Sequence, residues 1–599
     1  MTYQPPIREL LFNLEHICGL SQLEKTGAYP DLSADLVQAI LEEGGKFTAQ
    51  ELAPLNRVGD EHGSTLKDGV VTTAPGFKQA YAKLVEGGWQ GLSFPTSAGG
   101  MGLPGALGVA FMEMLQSANM AFGLGPMLTM GAIEVLIRAG TEQQKETYLP
   151  KLITGEWSAS MNLTEASAGS DVGAIRTSAS PQADGSHLLK GQKIFITWGE
   201  HDCTTNIIHL VLARTDDAPG GTRGLSLFLV PKFLPDDAGE FTVRNDAWAI
   251  GLEHKLGIHG SPTCVMEYGG NAGAVGYLLG EEMRGMAMMF IMMNSARMNV
   301  GTQGVGVAER AWQQAFAYAQ DRKQGRAAEQ NDGPASIIHH PDVRRMLVDG
   351  KAKIAAARAI TYCCAIAADL AAHGDVKAVR DRAKRREDFL TPLAKSYGSD
   401  IALEVTSMGV QVHGGMGFIE ETGAAQHFRD ARITPIYEGT NAIQAMDLIG
   451  RKLSMQGGLL FSEMLEEINI CASDCAGRSD SRLQGIAKHL AKAANALQSM
   501  TAWMADPARD PADSLSGATV FQTMCAETVG GHYLAVGALA ADQQLQADDP
   551  TLDTEFLHGR IDLAHYFASA VLAAVPGMDV SIQIGADAIF ALSERKLAP

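Results

Sequence analysis

One carboxylate, Glu438, stands between an aromatic residue and a glycine in the stretch PIYEGTNAIQ, residues 435 to 444. Charged side chains are rarely placed in apolar surroundings unless a function needs them there. The rest of the chain has to show what Glu438 would do in such a place. The alternative is a surface glutamate in an ordinary turn before a helix, and the stretch alone leaves both open.

A second candidate site is the stretch MNLTEASAGSDVGAIRT, residues 161 to 177, in which Thr164, Ser167, Ser170 and Asp171 surround Gly169. Small residues allow backbone N–H groups to approach a phosphate or a planar ring closely. The stretch also lies where a helical pattern gives way to a strand pattern, and ligand pockets concentrate at domain junctions. A Ser/Gly-rich surface loop is the alternative.

Motifs for the common hydrolases are absent from the sequence, which has no GxxxxGK[ST], GxSxG or HExxH. The segment at 100–105 fits GxGxxG, and GTQGVG at 301–306 is a similar glycine-rich run, but neither follows a strand and opens a helix. We therefore predict loop and helix-packing glycines there, and no dinucleotide-binding domain. The eight cysteines lack paired CxxC spacing, so we expect reduced thiols and no metal site.

The composition describes a folded protein of several domains, with 599 residues, 46% of them hydrophobic and 19% charged. The net charge of −20 argues against nucleic acid as a partner. The densest basic run, residues 377–386, is expected to be the solvated face of a helix. The first residues lack the apolar core of a signal peptide and the Met-rich run at 286–294 is too short to span a bilayer, so we expect a cytoplasmic protein.

Hydrophobic periodicity predicts the elements that would position these residues. Helical spacing dominates from about 31 to 156, short alternating or β-branched runs from 157 to about 280, and long helical segments from 284 onward. The predicted fold class is α+β. It comprises an N-terminal extension (1–34), a helical domain (35–156), an antiparallel β domain (157–283), a helical bundle (284–450) and a helical C-terminal extension (451–599).

Five motifs together resemble the acyl-CoA dehydrogenase family in order and spacing, over about residues 35 to 450. They are LTEASAGSD, GQKIFIT (191–197), ARMNVGTQGVGVAERA (296–311), QVHGGMGF (411–418) and IYEGTNAIQ (436–444). The opening PPIRELLFNLEH, the length and the helical tail resemble the long bacterial branch of the family. That branch includes 3-methylmercaptopropionyl-CoA dehydrogenases and general fatty acyl-CoA dehydrogenases.

The resemblance implies a reaction. The family removes a proton from Cα of an acyl-CoA thioester and passes a hydride from Cβ to N5 of FAD, which leaves a trans-2-enoyl-CoA. Glu438 matches the family's base. Some members take the base from the helix that here has no carboxylate between Glu282 and Glu309, where Ala296 stands in place of their acid. The resemblance therefore assigns catalysis to Glu438.

The resemblance also implies the binding residues. The residues expected at the flavin are Met161, Leu163, Thr164, Ser170, Phe195 and Thr197. Those expected at the FAD adenosine diphosphate of a neighbouring subunit are Arg322, Gln324, Gln411 and Gly415. Further contacts with the FAD of the first subunit are expected from Thr440 and Asn441. The residues expected at the substrate are Ser170, Met293, Asn294, Arg297, Tyr437 and Gly439. The chain departs from the common pattern at Ala166-Ser167, Phe195, Trp198 and Gly325.

The implied partners are an acyl-CoA substrate, electron-transfer flavoprotein as electron acceptor, and a second copy of the chain in a homo-oligomer, expected to be a dimer. Phe122, Leu124 and Met127 match the floor of the family's acyl channel, with Met289, Phe290 and Met293 opposite. Their bulk predicts short or medium acyl groups, with 3-methylmercaptopropionyl-CoA of dimethylsulfoniopropionate breakdown as one candidate. Core packing is the alternative for these side chains. A general fatty acyl-CoA dehydrogenase, an acyl-CoA oxidase and a catalytically silent flavoprotein stay open as other functions.

Overall fold

The protein is described by a computed structural model that covers residues 3–327, 333–547 and 552–599. The chain folds into two compact units. One contains residues 43–299, and the other contains residues 6–42 together with 300–599. The predicted order of helices, strands and helices, followed by a helical tail, is confirmed.

Helices occupy most of the first part of the chain. The helix Glu142–Ile153 begins with a capping box. The Thr141 side chain accepts from the Gln144 backbone N–H, and the Gln144 side chain accepts from the Thr141 backbone N–H. The α-helices up to residue 153 are Ile7–Phe12 (α1), Ser21–Glu24 (α2), Ala34–Phe47 (α3), Ala53–His62 (α4), Phe77–Glu86 (α5), Gly105–Ala118 (α6), Met120–Ala139 (α7) and Glu142–Ile153 (α8).

A hairpin interrupts this helical region, which the periodicity did not predict. Strands Thr65–Lys67 (β1) and Val70–Thr72 (β2) pair across Asp68 and Gly69, which have φ of 51° and 76°. Positive φ at both central residues is the geometry of the tight hairpin turn that Asp-Gly favours. The Asp-Gly dipeptide was therefore a signal for this hairpin.

The β part is an eight-stranded sheet in the order β10-β11-β5-β12-β7-β6-β3, with β4 pairing to β5 and β6. Its pairs are mostly antiparallel as predicted, but β3 and β4 both run parallel to β6. The strands from residue 157 are Trp157–Asn162 (β3), Ser178–Pro181 (β4), His187–Thr197 (β5), Asn206–Thr215 (β6), Leu225–Pro231 (β7), Phe233–Pro235 (β8), Phe241–Arg244 (β9), Ala247–Leu252 (β10), Thr263–Tyr268 (β11) and Ala274–Leu278 (β12).

Helices return at residue 285 and continue to the C-terminus. They are Gly285–Asp321 (α9), Pro341–His373 (α10), Lys377–His413 (α11), Ala424–Ala431 (α12), Asn441–Asp447 (α13), Leu459–Ala476 (α14), Ser481–Met504 (α15), Pro511–Leu545 (α16), Thr554–Phe567 (α17), Met578–Ile582 (α18), Gly585–Phe590 (α19) and Glu594–Leu597 (α20). Gly301 and Gly304 lie inside α9, so the prediction of packing glycines at 301–306 is confirmed.

The C-terminal extension packs against the helical bundle through charges as well as apolar side chains. Arg385, in the basic run that opens α11, pairs with Glu463 of α14 at 2.6 Å, and Arg386 pairs with Glu467. The basic run is therefore partly a packing surface, which corrects the expectation of a wholly solvated face.

Both ends of the chain meet in one charged cluster. Glu9 of α1 pairs with Arg560 of α17 and with Lys351 of α10, while Arg358 of α10 pairs with Glu309 of α9 at 2.9 Å. Buried charges are stable only when paired, so this cluster fixes the N-terminal helix onto the C-terminal extension.

Three helical segments are long and apolar enough to cross a membrane by length and composition, Met120–Ala139, Pro341–His373 and Thr554–Ile582. The apolar windows of the first two are each 83% buried inside the protein, and that of the third is 39% buried. Burial in the protein accounts for the apolar character of the first two segments.

Candidate active site

Glu438 lies in a tight turn between α12 and α13. Its backbone has a φ of 55°, in the left-handed region that non-glycine residues seldom adopt, and Gly439 follows with a φ of 83°. The turn ends at Thr440, whose side chain caps α13 by accepting from the Ile443 backbone at 3.2 Å. Strained residues of this kind persist where surrounding contacts determine them, and they cluster at functional sites.

Three side-chain anchors hold this turn. The Tyr437 hydroxyl donates to Oε1 of Gln303 on α9, and Nε2 of Gln444 donates to the Gly439 carbonyl at 3.3 Å. Asn441 forms the third anchor, on α11. Because the anchors fall on both sides of Glu438, its carboxylate is delivered in a fixed direction.

The side chain of Asn441 uses both ends of its amide within the protein. Nδ2 donates to Oδ1 of Asp400 at 2.6 Å, and Oδ1 accepts from Nζ of the fully buried Lys395 at 2.7 Å. The structure thus gives Thr440 and Asn441 structural roles in the turn. Their contacts with FAD stay predictions, made in addition to these bonds.

The electrostatic surroundings of the turn show in Tyr437. Burial, and then the charge of the adjacent Glu438, raise the pKa of the Tyr437 phenol well above its usual range. The phenol therefore stays neutral over the physiological range, as a hydrogen-bond donor beside the carboxylate.

Phe195 shares the left-handed conformation of Glu438, with a φ of 61°, but it lies within strand β5. The pairing of β5 with β11 shifts register between Cys264 and Met266, which is a β-bulge opposite Phe195. The bulge turns the ring outward, so that 58% of Phe195 is exposed. A large aromatic held outward at a sheet end offers a flat face to a planar ligand.

The loop after β3 is held beside this bulge. The Ile194 backbone donates to the Thr164 carbonyl at 2.9 Å, and Nζ of Lys193 donates to the Leu163 carbonyl at 3.0 Å and to Glu165 at 2.8 Å. Lys193 is fully buried, and burial lowers its pKa to about 8. Although burial by itself raises the pKa of Glu165, Lys193 and further hydrogen bonds bring it below its usual value.

The structure therefore brings Leu163 and Thr164 beside Phe195, and the contacts of all three with the flavin stay predictions. Met161 near the end of β3 and Thr197 at the end of β5 are half-buried, while Leu163 is buried. Ser170 lies further along the loop and is exposed.

The predicted substrate residues of α9 lie within one turn. Met293 and Asn294 are half-buried, and Arg297 is only 4% exposed, so this arginine is not a solvated surface residue. The intervening Ser295 donates to Oε1 of Glu134 on α7 at 2.9 Å. Sequence reasoning missed Glu134, which lies in a run of otherwise apolar residues.

The predicted channel floor is a packed core. Phe122, Leu124 and Met127 are each at most 3% exposed. The ring centroids of Phe122 and Trp198 are 6.1 Å apart. The Trp198 indole also fills the space that a side chain at Gly125 would need. For Phe122, core packing is the role that the contacts show, and Trp198 closes the same region.

The residues expected at the adenosine diphosphate fall at the ends of two helices. Arg322 and Gln324 lie just after α9 and are both exposed. Nη2 of Arg322 donates to Oε1 of Gln324 at 3.3 Å. Tyr318 of α9 stacks on His413 of α11 at 4.4 Å, and this contact holds the two helix ends together. Gln411 and Gly415, at the end of α11 and just after it, are also exposed.

Apolar side chains surround Gly415 on the surface. Phe418 is 84% exposed, Met416 49% and Ile419 44%. Apolar groups concentrated in one exposed segment are typical of a surface that another molecule covers.

Gln303, Gln444 and the Lys193–Glu165 pair are supporting residues that sequence reasoning missed. For Gln303 a signal was present, because it is a polar residue among the closely packing glycines of GTQGVG. Gln444 and Lys193 follow ordinary helix and strand patterns, which carry no such signal.

Four family descriptions match successive parts of the chain. Three are the N-terminal (35–156), middle (160–269) and C-terminal (283–453) domains of acyl-CoA dehydrogenase. Residues 461–593 match the domain described as acetyl-CoA dehydrogenase C-terminal like.

Relatives match over nearly the whole length. The chain is 47% identical to 3-methylmercaptopropionyl-CoA dehydrogenase of Ruegeria pomeroyi over 96% of both chains. It is 33% identical to a butyryl-CoA dehydrogenase of Syntrophomonas wolfei, also over 96% of both.

Solved structures share the fold. Caenorhabditis elegans ACDH-11 in complex with C11-CoA has a TM-score of 0.78 and 21% identity, covering 95% of this chain and 91% of that one. The acyl-CoA dehydrogenase of Bacillus anthracis complexed with FAD has a TM-score of 0.72 and 23% identity, covering 92% of this chain and 88% of that one. The matched family domains and the 47% identical relative define a flavin-dependent oxidoreductase. The chain belongs to the acyl-CoA dehydrogenase family, whose members use FAD to desaturate acyl-CoA thioesters.

Proposed function

We propose that this enzyme uses Glu438 as the base that removes the Cα proton of a short acyl-CoA, with 3-methylmercaptopropionyl-CoA as its physiological substrate. The observation that carries the proposal is the left-handed turn at Glu438, held by side chains on both sides. A preorganised carboxylate needs no rearrangement when the proton is transferred, which is how general bases gain rate.

The residues present fit FAD. Phe195 exposes its ring from a strained bulge, and Leu163, Thr164 and Thr197 lie at the same end of the sheet. FAD, when bound, supplies the acceptor for the Cβ hydride. The chain's residues would hold it: Phe195 by stacking, Thr164, Ser170 and Thr197 by hydrogen bonds, and Met161 by apolar contact. Glu438 would hold the proton taken from Cα.

The substrate assignment has three supports. The two relatives compared above are named for short acyl groups, a methylmercaptopropionyl and a butyryl chain. The floor at Phe122, Met127 and Trp198 is closely packed, so an added methylene has little space there. Half-buried Phe290 and Met293 offer polarizable surface that suits a thioether. Asn294 and Arg297, with Tyr437 and Gly439, would contact the rest of the thioester.

A substrate series tests this assignment. We expect kcat/KM to fall from butyryl-CoA to palmitoyl-CoA, and 3-methylmercaptopropionyl-CoA to exceed pentanoyl-CoA, which has the same shape with CH₂ in place of sulfur. Met127→Ala should move the optimum towards longer chains, whereas Phe122→Ala should chiefly destabilise the aromatic core, by about 3–5 kcal/mol. A rising trend from butyryl to palmitoyl would contradict the proposal.

We also propose a homodimer in which Arg322, Gln324, Gln411 and Gly415 bind the FAD of the neighbouring subunit. The support is that all four residues are exposed and that the exposed apolar side chains of Met416 and Phe418 follow Gly415 directly. Arg322→Ala should loosen FAD and weaken assembly together, measured by FAD titration and analytical ultracentrifugation. An FAD-saturated monomer would argue against the dimer.

Electron-transfer flavoprotein is the proposed electron acceptor, and the cytoplasm the proposed location. The eight cysteines are all free thiols, as a reducing compartment would leave them. Stopped-flow reoxidation in air, compared with reoxidation by electron-transfer flavoprotein, separates a dehydrogenase from an oxidase. Rapid turnover with oxygen would favour the oxidase.

A further inference from the structure

Gln303 occupies an unusual place on α9. Its neighbours Gly301 and Gly304 lie very close to α11. A Cβ on Gly301 would be 2.5 Å from the Ala394 carbonyl oxygen, and a Cβ on Gly304 would be 2.1 Å from the Gly398 carbonyl oxygen. Gln303 itself is fully buried. Where two helix backbones touch, an apolar side chain is the usual filling, so the amide needs a reason.

Stability does not supply that reason. Oε1 of Gln303 accepts from the Tyr437 hydroxyl, but Nε2 is buried and has no hydrogen-bond partner among the described residues. A buried donor without a partner weakens the folded state, and leucine, of similar size, would avoid the loss. A residue kept against stability at a site of this kind points to function.

The bond to Gln303 determines where the Tyr437 hydroxyl hydrogen lies. A phenol has a single hydrogen to donate, and here Gln303 receives it. The adjacent Glu438 is close enough for its charge to act on the Tyr437 phenol. A carboxylate that accepts a hydrogen bond is stabilised in its ionised form and becomes a weaker base.

We propose that Gln303 is a positioning residue that keeps the hydroxyl hydrogen of Tyr437 away from Glu438 and so preserves the basicity of Glu438. The inference rests on the proposed role of Glu438 as the base. On the other side of the turn, Lys395 and Asp400 of α11 face Asn441. Gln303 acts from α9, through Tyr437.

The test combines two substitutions in the FAD-loaded enzyme. Gln303→Leu should release the Tyr437 hydroxyl to Glu438 and lower kcat about tenfold, with KM changed less than about threefold. The isotope effect for substrate deuterated at Cα should rise, because proton removal becomes slower. Tyr437→Phe in the Gln303→Leu background should be faster than Gln303→Leu alone, since no hydroxyl is left to donate to Glu438. The melting temperature of Gln303→Leu should not fall.

Matched variants make each outcome decisive. Gln303→Met, which also cannot accept the hydroxyl, serves if the leucine variant does not fold. Gln313→Leu, further along α9, controls for loss of a glutamine on this helix. An unchanged kcat in Gln303→Leu, or a double variant as slow as the single one, would overturn the inference. Glu438→Gln separates the two claims: if it keeps near-normal turnover, the base lies elsewhere, and if it is inactive, only the role of Gln303 is in question.

Discussion

Phe195 and Glu438 adopt the same unusual backbone conformation, and they are held in it by different means. Phe195, with a φ of 61°, is fixed by backbone pairing in a β-bulge. Glu438, with a φ of 55°, is fixed by the side chains of Tyr437, Asn441 and Gln444, which reach α9, α11 and the turn itself. One strained residue therefore depends on sheet register and the other on individual hydrogen bonds.

The difference indicates how each of these two regions responds to substitution. A bulge defined by many backbone bonds tolerates changes of the side chain that it presents, as long as the strand stays paired. A turn defined by a few side chains loses its geometry when one of them is changed. We expect substitutions around Glu438 to act on rate, and those around Phe195 to act on flavin affinity or on the fold.

The largest effect is expected at Glu438 itself. Glu438→Gln keeps the volume and the turn but cannot accept the Cα proton, so turnover should fall by roughly a thousandfold or more while the protein stays folded and yellow. Steady-state kinetics and the flavin spectrum measure the two properties separately. Glu466→Gln, on the exposed side of α14, is the control and should turn over normally.

Next in size is the ion pair beneath the bulge. Lys193→Met leaves Glu165 buried without its cation, and unfolding in urea should show a loss of about 3–5 kcal/mol at neutral pH together with weaker FAD binding. Lys190→Met, exposed on the same strand, should change neither. If Lys193→Met is as stable as the parent, the bulge does not depend on this pair.

The same pair predicts a pH dependence. Because the pKa of Glu165 is lowered in the folded state, its stabilisation is present above the ordinary value of 4.5 and is lost as the pH falls through the lowered value. In Lys193→Met, burial instead favours the neutral carboxyl. The stability gap between parent and variant should therefore shrink below about pH 4.5, and a gap that is constant from pH 7 to pH 4 would contradict this.

The smallest effect on stability is expected at Phe195. Phe195→Gly removes the left-handed strain but adds chain entropy, so the free energy of unfolding should change by less than about 1 kcal/mol. FAD should bind about tenfold more weakly, because the stacking ring is lost. Phe195→Leu keeps the strain and serves as the comparison. A large loss of stability in the glycine variant would show that the ring, and not the register, holds the bulge.

Much of this architecture was predictable from the sequence, and the exceptions have physical reasons. Alternation in HLLKGQKIFIT predicted β5 with the bounds that the structure has, because a half-buried strand leaves a period of two. The β1–β2 hairpin was not predicted because each strand has only three residues, too few to show a periodic pattern. The parallel pairing of β3 with β6 was not predicted because the pattern of one strand does not specify the direction of its partner.

For the candidate site, the sequence predicted which residues matter better than what holds them. Glu438, Phe195, Gln303 and Lys193 all lie within the motifs, but the motifs do not show that Gln303 accepts from Tyr437 or that Lys193 pairs with Glu165. The burial of Arg297 was also missed, since a single arginine on a helix carries no sign of its surroundings. Such contacts exist only after folding, so local patterns cannot contain them.

The ion pair between Glu9 and Arg560 has a consequence for the order in which the chain is made. The two residues are 551 positions apart, so α1 leaves the ribosome long before its partner exists. At about 5–20 residues per second, the interval is roughly half a minute to two minutes. Residues 43–299 form a continuous unit that can fold during that time, whereas the unit containing α1 is completed only when synthesis has passed residue 560. Although α1 is synthesised long before α17, it is thus among the last helices to be secured.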